Sequence, residues 1–292
     1  MNRDIISCHK PLVDERLNEL LQGEESLYEI VRDAMRYSVS IGGKRVRPCL
    51  LIEFANICGG DLDDTLNVAA AIEMVHTYSL IHDDLPCMDN DDMRRGMPSC
   101  HKKFGEDMAL LAGDSLLTLA FNTISNCKNS KAENILKCVN ILSEYAGVNG
   151  MVGGQVIDLQ SEAKQVDDSV LLQMCSLKTA RLIQAACLMG CVISGANQEK
   201  QVAANDYGYN LGVAFQIVDD ILDVTSTTEE LGKPVGSDAE NQKSTFVSTL
   251  GLDTAKKLAD EYTAKAINSL EIFGDSANAL KEFTKVILNR KN

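Results

Sequence analysis

The sequence predicts an all-α protein, and three observations indicate this fold class. Apolar residues recur at intervals of three and four along most of the 292-residue chain, which is the spacing of one helical face. Aromatic residues, which strands favour, make up only 5% of the chain. No stretch alternates apolar and polar residues over the length of a convincing strand. We therefore expect roughly ten or more helices, packed as one large bundle in a single domain that spans residues 1–292.

Four apolar stripes with helical spacing lie in the first half of the chain. Their members are Leu17, Leu20 and Leu21; Ile30, Ala34 and Tyr37; Val68, Ala71, Ile72 and Val75; and Leu110, Leu117 and Phe121. Because residues three and four apart share a helix face, we expect each stripe to face the core. The glycine pair at 42–43 is expected to end the second of these helices.

In the second half, Asp167 and Asp168 are N-cap candidates for a helix from about Val170 to Ile193. The least polar stretch, residues 185–196, is shorter than the roughly 18 apolar residues of a membrane span. We therefore expect a buried core helix there and no membrane span. The polar segment 225–245 is too long for an ordinary connection, so we interpret it as a candidate lid.

Composition excludes one class of partner and suggests a compartment. With 28 Lys and Arg against 42 Asp and Glu, the net charge is −14, which argues against a nucleic-acid partner. The ten cysteines are scattered through apolar stretches without a C-x-x-C pair, which is typical of buried thiols in a reducing compartment. The first ten residues carry Asp4 and no long apolar run, so we expect no secretory signal. We expect a soluble, cytoplasmic protein.

Five aspartates fall within ten residues where an apolar stretch ends. Asp83 and Asp84 come one residue after Ser79–Ile81, and Asp89, Asp91 and Asp92 come shortly after them. A solvated acidic loop is one interpretation of this cluster. Unpaired charge beside a core is unfavourable, however, and clustered carboxylates suit a hard cation such as Mg²⁺.

A second aspartate set consists of Asp219, Asp220 and Asp223, again after apolar residues. Asp219 and Asp223 lie one helical turn apart, where like charges repel unless something neutralises them. Two such sets are a much stronger signal than one. They could face each other across a bundle and hold several Mg²⁺ ions, an arrangement suited to binding and activating a diphosphate.

Basic residues follow the same pattern. Lys44 and Arg47 come after the glycine pair, Arg94 and Arg95 follow the first aspartate set, and further lysines lie in the second half. Each alone could be a surface charge, but together they indicate a second anion site built from Arg and Lys. The net charge does not oppose anionic substrates, because bound metal ions invert the local sign.

These motifs, in this order, resemble the short-chain trans-prenyl diphosphate synthases, specifically the bacterial-type farnesyl diphosphate synthases. The matching stretches cover nearly the whole chain and are residues 42–48, 73–96, 112–114, 153–155, 178–179, 215–223 and 232–245. The resemblance implies the isoprenoid synthase fold, an all-α bundle around a central active-site cavity, usually as a homodimer. It also implies a transferase that condenses isopentenyl diphosphate with allylic diphosphates in the presence of Mg²⁺.

The resemblance further implies a role for each motif residue. Metal ligands are expected at Asp83, Asp84, Asp89, Asp219, Asp220 and Asp223. The allylic diphosphate or the developing cation is expected to contact Arg94, Lys178, Thr179, Gln216, Lys233 and Lys243. Isopentenyl diphosphate is expected to contact Lys44, Arg47, His76 and Arg95. A catalytic contribution is expected from Asp83, Asp84, Asp89, Arg94, Lys178, Asp219 and Lys233.

Product length is expected to depend on Tyr78 and Ser79, the residues five and four before Asp83. On an ideal helix Ser79 lies one turn from Asp83, whereas Tyr78 is rotated by about 140° from it, so a helix-packing tyrosine is an alternative. Tyr78 together with the two extra residues Pro86 and Cys87 resembles farnesyl synthases. We predict a C15 product, with C20 as the alternative.

Two other functions compete with a synthase. A class I terpene cyclase would share the fold and the first aspartate motif, but the second motif and the isopentenyl diphosphate site argue against it. A non-catalytic partner subunit would typically have lost an aspartate motif, and both are intact here. Cys187 and Cys191 resemble a spacing seen in some partner subunits, but two cysteines on an apolar helix are more often part of a core.

Overall fold

The computed structural model describes residues 4–24, 26–162, 164, 166–226 and 244–288. Within these ranges the protein is helical, and the only strands are two residues long. The predicted all-α class is therefore confirmed. The candidate lid lies almost wholly at 227–243, outside the described residues.

The described residues divide into two compact units. We call Asp4–Val139 with Val192–Gly195 the N-terminal unit, and Asn140–Cys191 with the described residues from Ala196 onward the C-terminal unit. The prediction that residues 1–292 form one domain stays a prediction.

The N-terminal unit contains six helices and a small hairpin. The helices are α1 (Ile5–Leu20), α2 (Glu29–Ser40), α3 (Val46–Ile57), α4 (Leu62–Asp83), α5 (Cys100–Phe104) and α6 (Glu106–Ser125). The hairpin pairs β1 (Met93–Arg94) antiparallel with β2 (Met97–Pro98), with Met93 opposite Pro98. Helix α7 (Ala132–Ala146) runs across the boundary between the two units.

Helix α4 forms the centre of the N-terminal unit. The stripe Val68, Ala71, Ile72 and Val75 is fully buried, as predicted. Asp61 caps the N-terminus by accepting a hydrogen bond from the backbone N–H of Asp64 (3.0 Å). Because the helix is apolar on nearly every side, it lies inside the unit and carries the acidic motif at its C-terminal end.

The C-terminal unit is built around a long helix. Its elements are α8 (Met151–Ser161), α9 (Asp168–Cys175), a π-helical turn (Ser176–Ala180), α10 (Arg181–Ile193, whose last two residues belong to the N-terminal unit), α11 (Gln198–Thr225), α12 (Phe246–Leu250), α13 (Leu252–Ser269), a 3₁₀ helix (Glu271–Ala277) and α14 (Asn278–Leu288). The predicted N-cap at Asp167 is confirmed, since its side chain accepts from the N–H groups of Ser169 and Val170.

One predicted core stripe is wrong. Leu110 is 47% exposed, and Leu117 and Phe121 on the same helix are only half-buried. The buried face of α6 consists instead of small and branched residues: Ala109, Ala112, Leu116, Ala120 and Ile124. Helix α6 is apolar on two faces, so helical spacing alone could not select the one that packs inward. Ile30 in the second stripe is likewise exposed.

All ten cysteines lie in the described ranges, and none of them forms a disulfide. Seven are buried, including Cys187 and Cys191 on α10, as expected for core residues. Two stretches are long and apolar enough to cross a membrane by length and composition, Glu106–Ser125 and Asp168–Ile193. The second is 67% buried, which is typical of a core helix in a soluble protein.

Candidate active site

The first aspartate set forms a turn at the C-terminal end of α4, which we call the acidic turn (Asp83–Asp92). The backbone N–H of Asp89 donates to the carbonyl of Asp83 (2.8 Å), and that of Asn90 donates to the carbonyl of Leu85 (3.1 Å). Asn90 adopts a left-handed backbone conformation (φ 53°), which asparagine tolerates better than most residues. The turn thereby brings the backbone of Asp89 next to that of Asp83 at the helix end.

Asp84 stands apart from the other aspartates of the turn because it is only 2% exposed. The Nε of Arg94 donates to its Oδ1 (2.9 Å) and its Oδ2 (3.1 Å), and the Nη2 of Arg94 adds a third contact. Burial raises the pKa of Asp84, and the Arg94 guanidinium opposes that shift. Asp84 therefore orients Arg94, and its predicted role as a metal ligand stays a prediction.

Three predicted diphosphate-binding residues lie together in the N-terminal unit, and we call Arg47, His76 and Arg95 the cation cluster. The Nη1 of Arg47 lies 3.4 Å from the Nε2 of His76. A Cβ built on Gly43 would lie 2.7 Å from the Nη1 of Arg95, so the Arg95 guanidinium packs directly against that glycine. Lys44 is exposed on the same loop.

In the cation cluster the two arginine charges lie close enough to affect each other. Burial lowers the pKa of Arg47, Arg95 lowers it further, and the Glu73 carboxylate opposes both effects. The Nε of Arg47 is buried and has no hydrogen-bond partner among the described residues. Because a buried unpaired N–H is unfavourable, this donor suits an anionic ligand.

Burial, reinforced by the charges of Arg47 and Arg95, lowers the pKa of His76 well below its ordinary value of 6.5. Above pH 6.5 the side chain is neutral in both the folded and the unfolded chain, so its titration does not affect stability there. Below 6.5 the unfolded chain binds a proton that the folded chain does not, and stability falls as the pH falls.

We therefore expect His76→Gln to remove part of the acid sensitivity of the fold. Between pH 7.5 and 5.5, the free energy of unfolding of the wild type should fall more steeply than that of the variant, by at most about 1.4 kcal/mol per pH unit. Urea unfolding at several pH values measures this difference. Parallel pH profiles for the two proteins would contradict it.

The second aspartate set lies near the C-terminal end of α11. Asp223 is buried, Asp219 is half-buried, and Asp220 is buried with both carboxylate oxygens accepting hydrogen bonds. Its Oδ1 accepts from the Nε2 of Gln216 (3.0 Å), and its Oδ2 accepts from the backbone N–H of Phe246 (2.8 Å). Asp220 thus holds the start of α12 against α11.

The π-helical turn carries the Lys178–Thr179 motif. The Nζ of Lys178 pairs with the Oδ2 of Asp158 on α8, and the Oγ1 of Thr179 donates to the Oε1 of Gln216 (3.1 Å). One extra residue in the helical turn re-aims side chains, and such turns are frequent at functional sites. These groups and Asp220 line a cavity of about 150 Å³ that lies wholly within the C-terminal unit.

Two predicted site residues cannot be placed. Lys233 and Lys243 fall outside the described residues, as does most of the candidate lid. Ser244, next to this segment, donates through its hydroxyl to the backbone carbonyl of Lys164 (3.0 Å).

The carboxylates of the two aspartate sets determine how a metal ion could be held. Within the part of the chain that the structure describes, no three His, Cys, Asp or Glu side chains converge closely enough to hold a metal ion. Mg²⁺, however, is usually bound by one or two carboxylates together with water and substrate phosphates rather than by a protein cage. The all-oxygen donors of Asp83 and Asp89, and of Asp219 and Asp223, fit that mode of binding.

Some site residues were missed from the sequence. Asp158, which pairs with Lys178, and Glu73 and Arg45, which pair with each other beside the cation cluster, were not assigned roles. Glu73 carried a usable signal, because a glutamate inside an apolar helix is rarely buried without a partner. Nothing in the sequence singled out Asp158.

Comparison with known proteins decides the family. Residues 28–281 match the polyprenyl synthetase family. The chain belongs to the polyprenyl synthetase family. The farnesyl diphosphate synthase of Micrococcus luteus is 43% identical over 291 residues, covering 99% of this chain and 97% of that protein. The geranylgeranyl diphosphate synthase of Cyanophora paradoxa is 40% identical over 285 residues, covering 97% and 94%.

A solved structure gives the same result. The Helicobacter pylori geranyltransferase, solved in complex with magnesium and isoprenyl diphosphate, matches with a TM-score of 0.83 and 34% identity over 99% of this chain and 98% of that one. This polyprenyl synthetase therefore has the predicted all-α isoprenoid synthase fold and is a short-chain prenyltransferase. Its relatives divide between farnesyl and geranylgeranyl synthases.

Proposed function

We propose that this prenyltransferase condenses isopentenyl diphosphate with dimethylallyl and then geranyl diphosphate, in a Mg²⁺-dependent reaction that yields (2E,6E)-farnesyl diphosphate. The cation cluster is the observation that carries the proposal. Its buried, unpartnered Arg47 donor suits a diphosphate that needs no metal, separate from the one held at the acidic turn. A terpene cyclase, which acts on a single diphosphate, has no need of such a site.

The residues support each step of this chemistry. Arg94, oriented by Asp84, would hold the allylic diphosphate as its C–O bond breaks. Lys178, oriented by Asp158, would stabilise negative charge that develops in the reaction. The cation cluster would align isopentenyl diphosphate so that its double bond attacks the allylic cation. Bound Mg²⁺ would neutralise the departing diphosphate. That attack leaves a cation on the isopentenyl part, and the carbon beside it would lose a proton to the released diphosphate, so that the C–H electrons form the new double bond. The prediction that both aspartate sets serve this reaction stays a prediction.

One assay tests the proposal. Purified protein with Mg²⁺, isopentenyl diphosphate and dimethylallyl diphosphate should give C15 diphosphate as the main product, resolved by chromatography. Mainly C20 diphosphate would establish the alternative geranylgeranyl synthase. A hydrocarbon product would favour a cyclase, and no product at all would favour a non-catalytic subunit.

We assign the control of product length to Tyr78 on α4, next to Ser79. The Tyr78 ring is buried and packs edge-on against the His82 ring (centroids 5.7 Å apart). Tyr78 lies five residues before Asp83 on the same helix, about 7.5 Å along its axis. Burial raises the pKa of Tyr78, and the charge of Asp83 acts in the same direction. This position supports Tyr78 as the residue that limits the chain, although packing alone would also bury it.

Replacement of Tyr78 by alanine should lengthen the product from C15 to C20 or beyond, because it removes a large buried ring close to the acidic turn. Product chromatography with both allylic substrates measures the shift. Tyr28→Ala, at an exposed position, serves as the matched control and should leave the profile unchanged. An unchanged profile in the Tyr78 variant would assign the ring to helix packing.

We also propose a homodimer that works in the cytoplasm. The exposed Leu110 and the half-buried Leu117 and Phe121 give α6 an outward apolar face. A second copy of the chain would remove that face from water. The buried thiols are consistent with a reducing compartment.

The dimer has its own test. In sedimentation equilibrium the wild type should have twice the 31.8 kDa mass of one chain, whereas Leu110→Asp should shift the mass towards one chain. Val286→Asp, at another exposed apolar position, is the control and should remain dimeric. A wild type of single-chain mass would refute the dimer.

A further inference from the structure

Arg45 is the most buried of the three basic residues on this loop, with 5% of its surface exposed, whereas Arg47 is half-buried and Lys44 is exposed. It adopts a left-handed backbone conformation (φ 51°, ψ 37°) directly before α3. A non-glycine residue rarely holds this conformation unless its surroundings determine it. The conformation sets the direction of the loop that carries Lys44 and of the first turn of α3, which carries Arg47.

Three contacts hold the Arg45 guanidinium, each on a different helix. Its Nε donates to the Oδ1 of Asp14 on α1 (2.8 Å), and its Nη1 donates to the Oε1 of Glu73 on α4 (2.8 Å). Its Nη2 donates to the backbone carbonyl of Val39 on α2 (2.6 Å). The planar fork of arginine can satisfy all three acceptors at once, whereas a lysine ammonium cannot match that geometry.

The same network reaches the cation cluster. Glu73 lies on α4 three residues before His76, so the two occupy neighbouring positions on one helix face. Its carboxylate also favours the charged forms of Arg47 and Arg95, the two arginines of the cluster. Hydrogen bonds of this network thus hold the loop that carries Lys44, and the charge of Glu73 stabilises the charged arginines of the cation cluster.

We infer that Arg45, anchored by Asp14 and Glu73, is a positioning residue that holds Lys44 and Arg47 in place to bind isopentenyl diphosphate. Arg45 contacts no substrate; it acts through its two neighbours. This inference rests on the proposed function, since it assigns the cation cluster to the second substrate.

Steady-state kinetics of Arg45→Lys, with each substrate varied separately, tests the inference. The KM for isopentenyl diphosphate should rise about tenfold, the equivalent of one charge-assisted hydrogen bond. The kcat and the KM for the allylic diphosphate should each change less than about twofold. Asp14→Asn removes one anchor at a partly exposed position and should shift the same KM by about threefold.

Asp64→Asn is the matched control. Asp64 is also buried on α4 and accepts from the backbone N–H groups of Lys128, Asn129 and Ser130, but it lies about 18 Å along the helix from His76. This variant should lower the melting temperature without changing either KM. A similar rise of both KM values in Arg45→Lys, or a fall in melting temperature alone, would overturn the inference.

Calorimetric titration with isopentenyl diphosphate separates this inference from the proposed function. If the wild type makes no prenyl product but binds this ligand, and Arg45→Lys weakens binding about tenfold, the condensation is refuted and the positioning role stands. If the wild type makes product and both proteins bind the ligand equally, the positioning role is refuted alone. If the wild type neither makes product nor binds the ligand, both are refuted.

Discussion

Replacing Asp83 by asparagine is expected to lower kcat/KM by about a thousandfold, the upper end of the range for removing one preorganised electrostatic group from an active site. The amide is a weaker ligand for Mg²⁺ and carries no charge to hold it. The fold should persist, because the substitution leaves unchanged the backbone carbonyl of Asp83, which closes the acidic turn. The initial rate measured over a range of Mg²⁺ concentrations should show a higher half-saturating concentration.

Asp92→Asn is the control for this substitution. Asp92 belongs to the same acidic turn, but its carboxylate is exposed and pairs with Lys102 at the surface (2.8 Å). Exposed ion pairs contribute roughly 0–1 kcal/mol, so stability and activity should both stay close to wild type. An equal loss of activity in the two variants would show that only the net charge of the turn matters.

The fold class was accessible from sequence because it depends on local patterns, whereas the roles of the site residues stay predictions. Helical spacing located α4 and its buried stripe, and Asp167 marked the start of α9. Both signals come from residues within a few positions of one another, and the physics behind them is equally local.

The sequence did not indicate which side chains are buried or paired when that depends on how the helices pack. The exposed face of α6 is as apolar as a core face, so Leu110 was assigned inward. Likewise, five aspartates in one turn look alike in sequence, but the structure separates Asp84, which is buried and paired with Arg94, from Asp89, which is exposed. Ion pairs between residues far apart in the chain, such as Arg45 with Glu73, cannot be recognised from a periodic pattern in the sequence.

A single methyl group added at Gly154 should disrupt the Lys178–Thr179 site of the C-terminal unit. A Cβ at this residue would lie 2.2 Å from the backbone N and 2.6 Å from the Cα of Lys178, well inside contact distance. Gly154→Ala must therefore push α8 away from the π-helical turn and separate Lys178 from Asp158. We expect kcat to fall about a hundredfold, since displacements near 1 Å have effects of this size, and stability to fall by about 1–3 kcal/mol.

Gly208→Ala distinguishes loss of alignment from loss of stability. Its Cβ would lie 2.6 Å from the Cα of Gln184, the same kind of collision with backbone, but about 12 Å along α11 from Gln216. Both variants should unfold at lower urea concentrations, while only Gly154→Ala should lose most of its kcat at a temperature where both remain folded. The two variants should differ because of what each glycine contacts. Both glycines let a neighbouring helix approach closely, but only the neighbour of Gly154 carries Lys178. Equal losses of kcat would mean that activity follows stability and not the placement of Lys178.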